Sequence, residues 1–325
     1  MSIPSTISEV SPAWLATQMN CTVDDIVVTN LGPGYMSDVF YLRADPANLF
    51  IVLKLSASSP ERRELAHRFD SYRKEHIFYR DLAADIDIRL PRCHFNLMAD
   101  DGHFALGLDY IQEGMSIDPD AGVDEEQMFE AMNTLARLHI YDWSTTDSNI
   151  PRFPAGFTAA AEDLASTSAL PELFPTGATD LIQDYARNSL HYLPKFVNQT
   201  QVLSHMDFRL ENLKFLDEGL TVLDWGEFST APQGFDIAYF MVTSVSSENR
   251  RKWERHALTT YLDAIDSEHF DLEQLIDSYR LCLLTAIYMP LLMYTAGNRT
   301  DARIVADRIA CAVNDHANDI RRLLR

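Results

Sequence analysis

Ser204-His205-Met206-Asp207-Phe208-Arg209-Leu210-Glu211-Asn212, running on through Leu213-Lys214-Phe215-Leu216-Asp217-Glu218-Gly219-Leu220-Thr221-Val222-Leu223 to Asp224-Trp225, is the stretch that decides the fold. Residues 213–216 and 220–223 are short, mostly apolar runs on either side of Asp217-Glu218-Gly219, where glycine can take the left-handed position of a tight turn. Two antiparallel strands joined this way bring their outer ends together, so Asn212 and Asp224 are expected to be neighbours. A carboxamide oxygen beside a carboxylate is a hard ligand set. It suits Mg²⁺, which takes few protein ligands and completes its shell with water and phosphate oxygens. Asp207, five residues before Asn212, falls on the loop feeding the hairpin, where it can orient a hydroxyl and accept its proton. The compound pattern is far more specific than any residue in it.

Working towards the N-terminus, residues 26–31 and 39–42 read as strands around Leu31-Gly32-Pro33-Gly34-Tyr35, and residues 49–55 as a third strand ending near Lys54. Residues 104–111 form a later one, and residues 60–82 carry a continuous helical pattern. The turn holds only two glycines and no helix follows, so a dinucleotide fingerprint is not supported. The chain has no Gly-Lys-Ser/Thr, which excludes an ordinary P-loop. Gly32 and Gly34 leave two readings, a plain hairpin turn or a turn folding over phosphates. Lys54 follows a wholly apolar run and could be an edge-strand lysine with its stem on apolar surface. Glu75 argues otherwise. Tyr72, Phe78, Tyr79 and Leu82 lie at its helical neighbours, so its carboxylate sits on or beside the apolar stripe and needs a partner. Lys54 is that expected partner, while Lys74 points about 100° away and reads as solvated.

Beyond about residue 120 the pattern is mainly helical. Met128, Met132, Leu135 and Leu138 mark one amphipathic helix, residues 151–199 hold two helices among several prolines, and residues 249–325 hold three or four. The expected architecture is α+β: a small β-rich lobe, residues 1–112, and a larger mainly helical lobe, residues 113–325. The 325 residues carry 27 Lys and Arg against 48 Asp and Glu, a net charge of −21. Such a charge repels phosphate backbones, so no nucleic-acid partner is expected. A small cationic substrate would suit it. Cys21, Cys93, Cys282 and Cys311 form no CxxC pair. Reduced thiols and the absence of a basic, apolar leader point to the cytoplasm. Residues 281–298 are uncharged but contain Pro290 and read as a buried core helix, so no membrane partner is expected.

The segment 204–225 resembles the catalytic-loop motif of the aminoglycoside phosphotransferase and choline kinase superfamily, which has a bilobal, protein-kinase-like fold. Leu135-Ala136-Arg137-Leu138-His139 is similar to a second segment of that family, and Gly234-Phe235-Asp236-Ile237-Ala238 to its downstream acidic position. The resemblance implies an ATP-dependent small-molecule kinase that moves the γ-phosphoryl group to a hydroxyl of a low-mass acceptor. It implies Asp207 as catalytic base, Asn212 and Asp224 as Mg²⁺ ligands, and His205 and Asp236 as structural braces. Gly32, Gly34, Lys54 and Glu75 would serve the nucleotide phosphates, and the backbone of Asp109, Tyr110 and Ile111 the adenine. Met206 departs from the glycine common in small-molecule kinases of this family. Arg209 and Glu211 are candidates for phosphate or substrate contact, and Glu227 reads as surface. Arg73-Lys74-Glu75-His76-Ile77-Phe78-Tyr79 and Leu90-Pro91-Arg92-Cys93 also resemble the ecdysteroid-kinase-like branch. The alternatives are an aminoglycoside or choline/ethanolamine-type acceptor, or a catalytically silent module that kept the fold to bind nucleotide or a partner.

Overall fold

A computed structural model describes residues 3–34, 36–112, 117–146, 149–174, 179–265 and 271–325. Tyr35, and residues 113–116 at the expected lobe boundary, lie outside the described residues. The chain divides into two compact units. One comprises Met1–Asp85, Arg89–Glu113 and Val222–Glu227; the other comprises Ile86–Ile88, Gly114–Thr221 and Phe228–Arg325.

The first unit begins with α1 (Pro12–Met19), capped by the Ser11 side chain and ended by Asn20 in a left-handed conformation. Five antiparallel strands follow: β1 (Val23–Pro33), β2 (Ser37–Pro46), β3 (Leu49–Ser56), and, after the helices, β4 (Cys93–Met98) and β5 (Phe104–Asp109). Their order in the sheet is β1-β2-β3-β5-β4, so β3 is central. Lys54 is therefore not an edge-strand residue. Strand alternation sends Phe40, Leu42, Leu53 and Leu55 into a core with Trp14, Leu15 and Phe95. Val39, Tyr41, Val52 and Lys54, paired across β2 and β3, occupy the opposite face.

The helical pattern over 60–82 is not one helix. It breaks into α2 (Pro60–Phe69), α3 (Ser71–Ile77) and a π-helical turn over Phe78–Leu82. The break is Asp70, whose φ of 57° is left-handed and which closes α2 by donating its N–H to Ala66 and His67 carbonyls. Asp tolerates this conformation better than most residues because its short side chain is compatible with it. Residues Val222–Glu227 belong to this unit because Trp225 is fully buried, its ring stacked on Phe78 at 3.8 Å and 6°. The Val222 N–H also donates to the Arg89 carbonyl at 3.0 Å.

The second unit contains α4 (Glu125–His139), started by an Asp124/Gln127 capping box, then α5 (Ala155–Ser166), the short α6 (Leu170–Leu173) and α7 (Thr179–Val197). Among the described residues three helices thus stand where two are expected, the extra one being the short α6, which carries Pro171 in its first turn. Strand β6 (Gln201–Ser204) leads into the loop at 205–212, and β7 (Leu213–Leu216) and β8 (Gly219–Val222) form the hairpin. Gly219, at φ 116°, supplies the left-handed turn position. Strand β9 (Ser229–Pro232) pairs antiparallel with β6 and feeds α8 (Phe235–Thr243), whose residues from Phe235 to Val242 are all buried. At Gly234 a Cβ would lie 2.3 Å from the Tyr279 nitrogen, so only glycine allows α8 this approach.

Among the described residues the C-terminal region has five helices rather than three or four: α9 (Ser247–Ile265), α10 (Leu272–Cys282), α11 (Tyr288–Thr295), α12 (Arg299–Asp315) and α13 (Ala317–Leu324). The apolar stretch within Leu272–Thr295 is long and apolar enough to span a bilayer, but it is broken by a 3-10 turn and 72% of its most apolar window is buried. It forms protein core.

Candidate active site

Each unit carries one cluster of the residues singled out above. In the first, Lys54 Nζ donates to Glu75 Oε1 at 2.7 Å and to Asp224 Oδ1 at 2.8 Å. Lys54 is 8% exposed and Glu75 is buried, whereas the Asp224 side chain is 52% exposed. Burial alone would lower the Lys54 ammonium, but the Asp224 and Glu75 carboxylates outweigh it and raise it, so the lysine stays charged. Burial pushes the Glu75 carboxyl up, with Lys54 pulling it back. Glu75 also accepts the Trp225 backbone N–H, which ties α3 to the Asp224 segment.

That segment has a second tie. Glu227 accepts from the Ser71 hydroxyl at 2.6 Å and from Lys74 Nζ at 3.3 Å. Lys74 is therefore not solvated, and Glu227 is not an idle surface residue. A helix angle sets the direction of a side chain, but a chain segment 153 positions away decides whether water is there.

Gly32, at φ 101°, lies near the end of β1 where the register with β2 shifts between Asn30 and Pro33, and donates its N–H to Asn30 Oδ1 at 2.7 Å. An added Cβ at Gly34 would meet the Ser37 carbonyl at 3.1 Å. The exit of the turn is fastened to the helices: Tyr72 donates its hydroxyl to the Met36 carbonyl at 2.6 Å, and Arg62 donates to the Ser37 carbonyl and to Asp38, each at 2.7 Å. At the end of β5, Asp109 donates its N–H to the Arg92 carbonyl and Tyr110 its N–H to the Phe50 carbonyl. Asp109 Oδ1 pairs with His94 Nε2 at 2.6 Å. Only the Ile111 N–H of the three has no partner among the described residues. The strand stops at Asp109 instead of reaching residue 111.

The second unit holds the loop at 205–212. Asp236, completely buried in α8, accepts the His205 N–H at Oδ2 (2.8 Å) and the Met206 N–H at Oδ1 (2.9 Å). His139 Nε2 lies 3.3 Å from the same Oδ2. Burial would raise the Asp236 carboxyl, but the hydrogen bond from His139 and the neighbouring histidines and Ser204 hold it below the usual range. His205 Nδ1 accepts the Asp207 N–H at 3.2 Å. The Asp207 carboxylate takes three donors: Tyr239 hydroxyl at 2.7 Å and Arg209 Nε at 3.0 Å on Oδ1, and Asn212 Nδ2 at 2.8 Å on Oδ2. Arg209 also pairs with Glu211 at 2.7 Å, so both residues are engaged within the loop.

A carboxylate can only accept, so Asn212 must present its NH₂ to Asp207, leaving its Oδ1 as a neutral hard oxygen. That oxygen in one unit, and the half-exposed carboxylate of Asp224 in the other, are each of the hard-oxygen kind that Mg²⁺ takes alongside water and phosphate oxygens. Tyr239, Ser71 and Lys74 were not singled out from the sequence as site residues. The one signal that points to Tyr239 is its position three residues after Asp236, on the same helix face.

A family model described as Phosphotransferase enzyme family, APH, matches residues 27–275. The chain belongs to that family. Solved structures with the same fold include choline kinase from Cryptosporidium parvum (TM-score 0.57, 11% identity, 92% of this chain and 91% of that one). Ethanolamine kinase from Plasmodium vivax is similar at TM-score 0.56 and 12% identity, covering 89% and 82% of the two chains. Macrolide 2'-phosphotransferase from Brachybacterium faecium is similar at TM-score 0.52 and 16% identity, covering 91% and 96%. No curated protein sequence matches significantly. The α+β, protein-kinase-like class expected from the catalytic-loop motif is the class of this phosphotransferase, with its five-stranded unit and its larger helical one. As an APH family member it transfers a phosphoryl group to an alcohol of a small molecule.

Proposed function

We propose that this phosphotransferase is an ATP-dependent kinase whose acceptor is a low-mass, cationic hydroxyl compound, such as an amino alcohol or an aminoglycoside. The observation that carries the reading is the buried Lys54 ammonium, shared between Glu75 and the half-exposed Asp224. A lysine held charged on the central strand is the cation such an enzyme aims at nucleotide phosphates. The Ile111 N–H, without a partner among the described residues, and the apolar face of Val39 and Val52 support a role for this unit in holding a purine. In the other unit, Asp207 is the group to orient the acceptor hydroxyl and take its proton. Bound with the nucleotide, Mg²⁺ would draw on Asn212 Oδ1 and the Asp224 carboxylate and neutralise charge on the phosphates. The net charge of −21 supports a cationic acceptor, and four free cysteines support a reducing compartment.

The experiment is an ADP-release panel with Mg²⁺–ATP and choline, ethanolamine, aminoglycosides, sugars and sterol-like alcohols, run on wild type and Asp207→Asn. Turnover on a cationic alcohol that Asp207→Asn cuts to a small residual rate, with nucleotide affinity nearly unchanged, is the expected result. Full turnover in Asp207→Asn would remove the base assignment. Tight Mg²⁺–ATP binding with no turnover on any hydroxyl compound would instead favour a silent nucleotide-binding module.

A further inference from the structure

Helix α8 grips three consecutive residues of the loop from one face. Asp236 takes the backbone N–H groups of His205 and Met206, and one turn later Tyr239 reaches the side chain of Asp207. At the end of the helix, Ser244 accepts the Leu210 N–H at 2.9 Å. The Tyr239 ring is stacked on Phe235 at 6.2 Å and 11°, so its hydroxyl has little freedom. Burial, reinforced by the Asp207 charge, pushes that phenol well above its usual range, so it remains a donor.

A carboxylate oxygen offers two lone pairs. On Asp207 both pairs of Oδ1 are taken, by Tyr239 at 2.7 Å and Arg209 Nε at 3.0 Å. On Oδ2 one is taken, by Asn212 at 2.8 Å, and one is left. We propose that Tyr239 is a positioning residue that, together with Arg209, occupies Oδ1 of Asp207 and so directs proton acceptance to Oδ2. This rests on the reading of Asp207 as base. In the step, the O–H bond of the acceptor breaks and its proton forms an O–H bond at Oδ2. The oxygen's electron pair forms the new bond to the γ-phosphorus of ATP, and the bond from that phosphorus to the bridging oxygen breaks, releasing ADP. Without the Tyr239 hydroxyl the carboxylate can rotate, and Oδ1 competes for the proton in an unproductive orientation. Binding of either substrate does not require that hydroxyl.

The test is Tyr239→Phe, which keeps the ring. A hydrogen bond to a charged group is worth roughly 10- to 100-fold, so kcat should fall at least about tenfold. KM for ATP and for the acceptor should stay within about twofold, since only the transition state uses the oriented carboxylate. The same substitution placed in Asp207→Asn should cost nothing further, because the two residues act as one unit. Wild-type kcat in Tyr239→Phe, a rise in KM without loss of kcat, or a full multiplicative loss in the double variant would overturn the proposal. Asp207→Asn inactive with Tyr239→Phe fully active sinks this inference alone, while Asp207→Asn fully active sinks the base reading beneath it. If Tyr239→Phe does not fold, Arg209→Gln, which empties the other site on Oδ1, must show the same kcat-only loss; unchanged kcat there overturns the proposal as well.

Discussion

Replacing Lys54 by Met keeps the length of the side chain and removes its charge. Glu75 is then a buried carboxylate whose cation has gone, with the Trp225 N–H still donating to it. Asp224 loses the same partner, but its side chain is 52% exposed and water replaces the lysine, so its share is discounted. Breaking a buried ion pair from one side costs about 3 to 5 kcal/mol, and the lower end applies here. For units of this size about 3 kcal/mol lowers the melting temperature by roughly 6 to 12 °C. The sign of the pH dependence follows from Glu75. Burial raises its carboxyl in the folded protein, and without Lys54 only the Trp225 N–H pulls it back. A carboxyl raised by folding contributes stability that is present below its unfolded value and lost as pH rises through its folded value. The deficit of Lys54→Met should therefore be smaller at pH 5 than at pH 8. Adding Glu75→Gln removes the stranded charge and keeps an acceptor for Trp225, so most of the loss should be recovered. Differential scanning calorimetry and urea unfolding at the two pH values measure wild type and both variants. A loss under about 1 kcal/mol at pH 8, set against the range for a broken buried pair, or a double variant no better than Lys54→Met, would refute the account of this cluster.

Two further expectations concern buried groups. Asp236→Asn turns one of the two acceptors for the His205 and Met206 N–H groups into a donor, so stability should fall by about 2 kcal/mol. Because the Asp236 carboxyl is depressed in the folded protein, its contribution is lost as pH falls through the folded value. The gap between wild type and Asp236→Asn in urea melts should thus narrow as pH falls into the acid range, and a gap that does not narrow with falling pH would contradict the assignment. Burial, reinforced by the Glu75 charge, pushes the Cys93 thiol up to about 11. Mass-spectrometric footprinting with iodoacetamide at pH 7.5 should label Cys93 far more slowly than an unfolded control; equal labelling would show that the thiol is not protected.

What could be read in advance divides by distance along the chain. The β7–β8 hairpin is local: two short runs and a glycine turn specify it, and it formed at Leu213–Leu216 and Gly219–Val222. The partnership of Lys54 and Glu75 was legible although 21 residues separate them, because helical spacing alone put a carboxylate on the apolar stripe and demanded a cation. The break at Asp70 was not, since Asp fits a helix surface and a left-handed cap equally well until packing chooses. Strand β4 was missed because Cys93–Met98 has one fully buried side chain, Phe95, and so no clean alternation. Helix α1 is short and capped by a single serine. Lys74 and Tyr239 find partners 153 and 32 positions away. Nothing in local pattern encodes such pairings, so Lys74 reads as solvated surface and Tyr239 does not stand out.

Backbone strain marks the same places. Among the described residues five non-glycine residues have positive φ, and two of them, Met206 at 68° and Asp224 at 62°, adjoin or form part of the candidate machinery. Asn and Asp adopt this conformation routinely, but Met has no local hydrogen bond to offer in exchange and bears roughly 1 to 2 kcal/mol. The Met206 N–H bond to Asp236 Oδ1 holds that conformation in place. The sharp bend at 206 lets His205 turn inward to full burial while Asp207, the next residue but one, meets Tyr239 and Asn212. A glycine would make the same bend without strain, so the path of the loop does not depend on the methionine side chain. What Met206 adds over glycine is bulk beside Asp207, at a backbone cost. Strain of this kind persists only where the surroundings over-determine it, and here they do so through helix α8, the element that also fixes the carboxylate of Asp207.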